Sequence, residues 1–124
     1  MPTKKRVLAK TWEEFCKLTK RIPEEFPADA ISKRSIADFK LSTMILYYNG
    51  GKLPDFTDGQ VWKYEPWWRI VKDDKHPSGF GLSYRVYDNW RTFTAVGPRF
   101  AFLDSDVLEH MVKYFINDYI DLIL

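Results

Sequence analysis

The apolar residues of this chain change their spacing twice, and that limits the fold more than any other feature. Trp12, Phe15 and Leu18, then Ile36, Phe39, Met44 and Tyr47, recur at helical intervals. Between Trp62 and Val71 aromatic and polar residues alternate, and Phe80, Leu82, Tyr84 and Val86 fall at every second position. From Asp104 onward Leu108, Met111, Val112, Phe115, Tyr119 and Leu122 return to helical spacing. A helix repeats every ~3.6 residues and a strand every ~2, so neither period can be accommodated by the other element. The expected order is helices, strands, helix.

Local signals set the ends of these elements. Thr11-Trp12-Glu13-Glu14 has the spacing of a capping box, so a short helix is expected there, stopped by Pro23 and Pro27. A second helix is expected from about Ser32 or Ser35 to Tyr48, closed by Asn49-Gly50-Gly51, with residues 52–60 as a loop. Pro66 marks the first strand as an edge or a bulge. The polar run Asp73 to Gly79 connects it to a second strand, in which Arg85 and Tyr87 oppose the Phe80 to Val86 face. A turn at Asp88-Asn89 leads to a third strand from about Arg91 to Val96, resumed at Phe100 to Leu103 after Gly97-Pro98. Asp104 is a good N-cap for the last helix. The expected fold is therefore α+β. It has two N-terminal helices, a three- to four-stranded antiparallel sheet, and a C-terminal amphipathic helix packed on the Phe80, Leu82, Tyr84 and Val86 face.

With 124 residues, 45% of them hydrophobic, the chain can bury one contiguous core, so a single domain spanning 1–124 is expected, with residues 1–10 as a loose basic arm. The net charge of +2 does not mark a nucleic-acid binder. Its distribution is uneven: residues 1–40 hold ten Lys and Arg against six Asp and Glu, and residues 101–124 hold one against five. Cys16 is the single cysteine, which excludes an internal disulfide and fits a reducing compartment. No signal peptide is readable, and no run reaches the roughly 18 apolar residues of a membrane span. A cytoplasmic protein with no membrane partner is expected.

Reactive chemistry is sparse. His76, His110 and Cys16 are far apart in the chain, so no metal site is expected. Cys16 lies beside Phe15 and Leu18 in a helical pattern, the setting of a structural thiol. Gly79-Phe80-Gly81 opens a strand, not the helix that a phosphate loop requires. Asp73-Asp74 and Glu24-Glu25 lie in turns, where solvated charge accounts for them. No catalytic residue and no cofactor are expected. What remains is a set of aromatic and arginine residues on the strands: Trp67, Trp68, Arg69, Arg85, Tyr87, Trp90, Arg91 and Arg99. Rings on a solvent-facing sheet surface, flanked by arginines, suit stacking on bases or anchoring a protein partner.

Several short motifs also occur in a particular order: Tyr48-Asn49-Gly50-Gly51, Leu53-Pro54-Asp55-Phe56, Lys63-Tyr64-Glu65-Pro66-Trp67-Trp68, Ser78-Gly79-Phe80-Gly81 and Val96-Gly97-Pro98-Arg99-Phe100. In this order the chain resembles a family of small uncharacterised proteins carried by phages and prophages of Bacteroidales bacteria. The resemblance implies provenance and no assigned activity, so no catalytic or ligand residue follows from it. Pro98, Asp104 and Leu82 depart from the family's usual residues while keeping cap and strand chemistry. Provenance and composition together lead to the expectation of a non-enzymatic accessory protein in the bacterial host's cytoplasm. It would bind a host or phage protein, such as a defence nuclease or part of the nucleic-acid machinery. The alternatives are a single-stranded nucleic-acid-binding protein and a minor virion or assembly component that forms a homo-oligomer.

Overall fold

A computed structural model of the protein has the α+β class that the changes of period require. It describes residues 8–75, 79–92, 94 and 96–124, and only the backbone at 85 and 86. Among these residues, helices α1 (Trp12–Thr19), α2 (Lys33–Tyr48), α3 (Ser105–Tyr114) and α4 (Ile116–Ile123) accompany a hairpin of β1 (Lys63–Lys72) and β2 (Phe80–Trp90). A 3-10 turn, Pro98–Phe100, precedes α3. Residues 1–7 of the expected arm lie outside the described residues. Ala9 is held, not loose: its N–H donates to the Tyr48 hydroxyl at 2.9 Å, and its carbonyl lies 2.6 Å from His110 Nε2.

The Thr11 hydroxyl oxygen accepts the Glu14 N–H at 3.1 Å and so caps α1. The Glu14 carboxylate takes the threonine hydroxyl at 3.3 Å, where a full capping box would have it reach the backbone. The helix ends ahead of Pro23, at Lys20 in the left-handed region with φ 57°. It buries Trp12, Phe15 and Cys16, while Leu18 is exposed because it falls outside their stripe. Helix α2 opens on a reciprocal Ser32–Ser35 capping box. Its buried face is Ala37, Leu41, Met44, Ile45 and Tyr48, rotated from the expected one; Ile36 and Phe39 are half-buried and Tyr47 is exposed. The rotation follows from α2's neighbours, since α4 and the 3-10 turn both pack on it and Tyr48 must reach Ala9.

Among the described residues, strands β1 and β2 form a two-stranded antiparallel ladder, and the expected third strand is reduced to one antiparallel bridge, Phe102 to Tyr64, within the stretch where it was expected to resume. In the expected third strand, residues 91, 92, 94 and 96 are not in a strand, and Phe93 and Ala95 lie outside the described residues. The register slips in mid-ladder: Trp67 pairs with Val86 and Trp68 with Tyr84, which leaves the Arg85 backbone without a cross-strand partner. A bulge of this kind reverses the alternation beyond it. Leu82 and Tyr84 therefore share the helix-facing side with Tyr87, which the uninterrupted alternation had placed on the outer face.

The last helix is two helices. Phe115 leaves helical angles at φ −121°, ψ 25° and separates α3 from α4. The expected stripe is nonetheless buried at Leu108, Met111, Val112, Phe115 and Tyr119, with Val107 and Ile120 added. Helix α3 packs on β1, and α4 packs on β2 and along α2. Asn49 joins these layers: its amide donates to the Ala101 carbonyl at 2.9 Å and accepts the Leu103 N–H at 3.0 Å. With residues 101 and 103 held on one side, Phe102 presents its own N–H and carbonyl to Tyr64, both at 2.8 Å.

The α2–α4 contact contains a carboxylate that opposes folding. Burial raises the pKa of Asp118; Lys40 partly offsets this and Asp121 adds to it. The folded state thus binds this proton more tightly than the unfolded chain, so stability falls as pH rises through the carboxylate range and the penalty is absent below it. Asp118→Asn is expected to raise the melting temperature at pH 7 and leave it nearly unchanged at about pH 3. An equal gain at both pH values, in paired melts against the parent protein, would contradict this account.

Candidate interaction site on the hairpin arm

The outward face of the hairpin divides into a covered base and a bare arm. At the base Lys63 is 0% exposed and Glu65 2%. The Lys63 ε-amino group donates to the carbonyls of Asp58 and Arg91, both at 2.7 Å, and lies 5.3 Å from the centre of the Phe56 ring. It ties the segment entering β1 to the segment leaving β2. Glu65 accepts a hydrogen bond from the Thr94 hydroxyl, and the Thr94 oxygen accepts the Gly97 N–H at 2.7 Å. Loops thus close a surface that a sheet with one helix layer was expected to leave open. The groups that accomplish this are buried polar ones, each with partners.

Beyond the base the arm is exposed on both faces: Trp67 on the outward face is 55% exposed, and Ile70 and Phe80 on the other are 57% and 45% exposed. An open groove of about 510 Å³ runs beside β1, and Pro66, Trp67, Trp68, Ile70, Trp90 and Val96 are among its lining residues. Residues of both sheet faces contribute, Ile70 on one and Glu65 and Trp67 on the other, and Ile123 of α4 closes one end. Leu82, Asp88 and Trp90 of β2 also line it, so both strands contribute.

The expected site residues separate into groups. Trp67, Trp68 and Trp90 meet at the groove. Trp67 is the ring that faces solvent, with Arg69 exposed on the same side of β1. Trp68 is half-buried toward the helices, its ring centre 5.9 Å from that of Tyr84 and 5.0 Å from that of Tyr119. Tyr87 packs edge-on against Tyr64 at 5.4 Å. Trp68 and Tyr87 therefore belong to the core side, contrary to their expected place on a binding face. Burial pushes the ionisation of both Tyr84 and Tyr119 upward. The Arg85 side chain lies outside the described residues. Arg91 stacks over Trp62, 4.5 Å from its centre, at the hairpin base. Arg99 forms an ion pair with Asp38 of α2 and lies over the Phe100 ring. Arg91 and Arg99 are thus engaged elsewhere and do not line the groove.

Lys63, Glu65, Ile70, Val96 and Ile123 escaped the sequence reading. Pro66 hinted at an edge, but no local pattern places Val96 or Ile123 against β1. Elsewhere, Cys16 is fully buried, and burial raises its thiol pKa, the reverse of a nucleophile's activation. His110 stacks on Tyr114 with ring centres 4.7 Å apart, and His76 lies outside the described residues. Among the described residues no three His, Cys, Asp or Glu side chains gather as metal ligands would, and no helix is long and apolar enough to cross a membrane. Comparison with known protein families, curated proteins and solved structures finds no match to this chain.

Proposed function

We propose that the protein acts by binding another protein through the hairpin arm, as a non-enzymatic accessory factor of a phage or prophage in the host cytoplasm. The observation that carries this reading is the exposure of Trp67 and Ile70 beside an apolar groove. Large rings and aliphatic side chains next to a concavity are where interface energy concentrates. A host defence nuclease or a component of the nucleic-acid machinery is the class of partner that the phage resemblance favours. Single-stranded nucleic acid is the weaker reading, because Arg91 and Arg99 are engaged with Trp62 and Asp38 instead of lining the groove with Trp67.

Trp67→Asp should leave the fold and melting temperature nearly unchanged and reduce partner capture by roughly 30-fold, the scale of one ~2 kcal/mol anchor. The measurement is quantitative affinity capture from host lysate with parent and variant side by side. An identical capture profile for both proteins would sink the reading. Tight, salt-dependent binding of labelled oligonucleotides, abolished by Trp67→Asp, would transfer the site to nucleic acid.

A further inference from the structure

We propose that the groove on the hairpin arm receives an arginine side chain of the partner protein, a mode that rests on the hairpin-arm reading above and specifies its chemistry. The cross-strand register carries the inference. Glu65 pairs with Asp88, and Lys63 with Trp90, ahead of the slip at Trp67 and Trp68. Directly opposed residues share a face, and so do residues two apart along one strand. Trp67, Glu65, Asp88 and Trp90 therefore lie on one face of the hairpin, the two carboxylates opposed at its centre and one indole beyond each. All four line the groove.

Like charges directly opposite each other destabilise a strand pair, so this arrangement is unfavourable for the hairpin alone. The two carboxylates are not equivalent. Glu65 is buried and takes the Thr94 hydroxyl. Asp88 is half-buried, and among the described residues its side chain has no hydrogen-bond or ion-pair partner. No cation of the described residues lines the groove. Lys63, on the same face, is buried with its ammonium on the Asp58 and Arg91 carbonyls, and Arg69 lies past Trp67 in solvent.

The groove thus complements a positive charge, and its walls select the kind. Beside the carboxylates they are indole and aliphatic, from Trp67, Trp68, Trp90, Ile70 and Val96. An ammonium is strongly hydrated, and such walls replace little of its water. A guanidinium is weakly hydrated, stacks on indole faces and offers a planar fork to a carboxylate such as Asp88. The same carboxylates repel phosphate, so a nucleic acid suits this groove poorly.

The test titrates the full chain with N-acetylarginine amide and with its uncharged isostere, N-acetylcitrulline amide, following the tryptophan side-chain NMR signals. The arginine compound should shift the Trp67 and Trp90 signals and bind at least ~10-fold more tightly than the citrulline compound. Asp88→Asn keeps the shape of the side chain and should weaken arginine binding at least ~10-fold, while the melting temperature holds or rises as the like-charge pair is removed. Asp74→Asn, the same charge change at an exposed position of the hairpin tip, should leave binding within ~2-fold. If Asp88→Asn disturbs the fold, the comparison of the two compounds on the parent protein decides alone. Equal affinity for both compounds, or unchanged arginine binding in Asp88→Asn, overturns the proposal. Self-association that Asp88→Asn abolishes also overturns it, by assigning the groove to a second copy. Partner capture that survives Asp88→Asn but is lost in Trp67→Asp refutes arginine insertion while leaving the hairpin-arm reading standing, and capture that survives both refutes the two together.

Discussion

Replacing Phe102 by alanine is expected to lower the unfolding free energy by about 3–5 kcal/mol. The side chain is 0% exposed and belongs to the cluster that includes Leu41, Met44, Leu108 and Met111. Its truncation removes the transfer energy of a ring and leaves a cavity that two packed layers cannot readily close. The backbone bonds to Tyr64 survive the substitution in principle, but they depend on residues 101–103 lying flat between Asn49 and β1. A urea titration should show the midpoint falling with little change in slope. By contrast Ile70, more than half exposed on the arm, should tolerate alanine within about 0.5 kcal/mol. A loss below about 1 kcal/mol at Phe102 would mean that the joint between helices and hairpin lies elsewhere.

The second large effect is expected at Lys63→Met. Methionine preserves the aliphatic stem but leaves the Asp58 and Arg91 carbonyls without the donor each now has at 2.7 Å. Hydrogen bonds to a charged group contribute ~1.5–3 kcal/mol each, and part of the loss is recovered as water reaches the exposed segments, so a fall of about 2–4 kcal/mol is expected. Equilibrium unfolding reads the total. Limited proteolysis reads its location, because cleavage should accelerate between Asp58 and Trp62 and near Arg91 before the helices are attacked. Uniform acceleration throughout the chain would argue against a local tie, and a gain in stability would show that burying the amine costs more than its bonds return.

These substitutions separate the foundation of the site from the site itself. Phe102 and Lys63 hold the hairpin base from its two faces, while Trp67, Ile70 and Arg69 lie beyond that support. The exposed side chains of the arm thus contribute little to stability. The same division explains why the aromatic count alone overstated the exposed aromatic surface. Trp68 and Tyr87 are as aromatic as Trp67, but they sit against Tyr119 and Tyr64 and serve the core.

What the sequence determined by itself is what neighbours along the chain decide. The α+β class, the order of elements, the caps at Thr11, Ser32 and Asp104, the stop at Asn49-Gly50-Gly51 and the edge character of Pro66 all arise from bonds and periods spanning a few residues. The tertiary structure decided which way the rings face. One slip of register opposite Trp67 and Trp68 moved Tyr87 to the helix side, the partners of α2 turned its buried face away from Tyr47, and Phe115 divided a continuous apolar stripe into two helices. Loops reached back to bury Lys63 and Glu65 on a face that alternation alone would leave to water. Each of these outcomes depends on residues distant in the chain, joined by hydrogen bonds and packing whose partners no local pattern specifies.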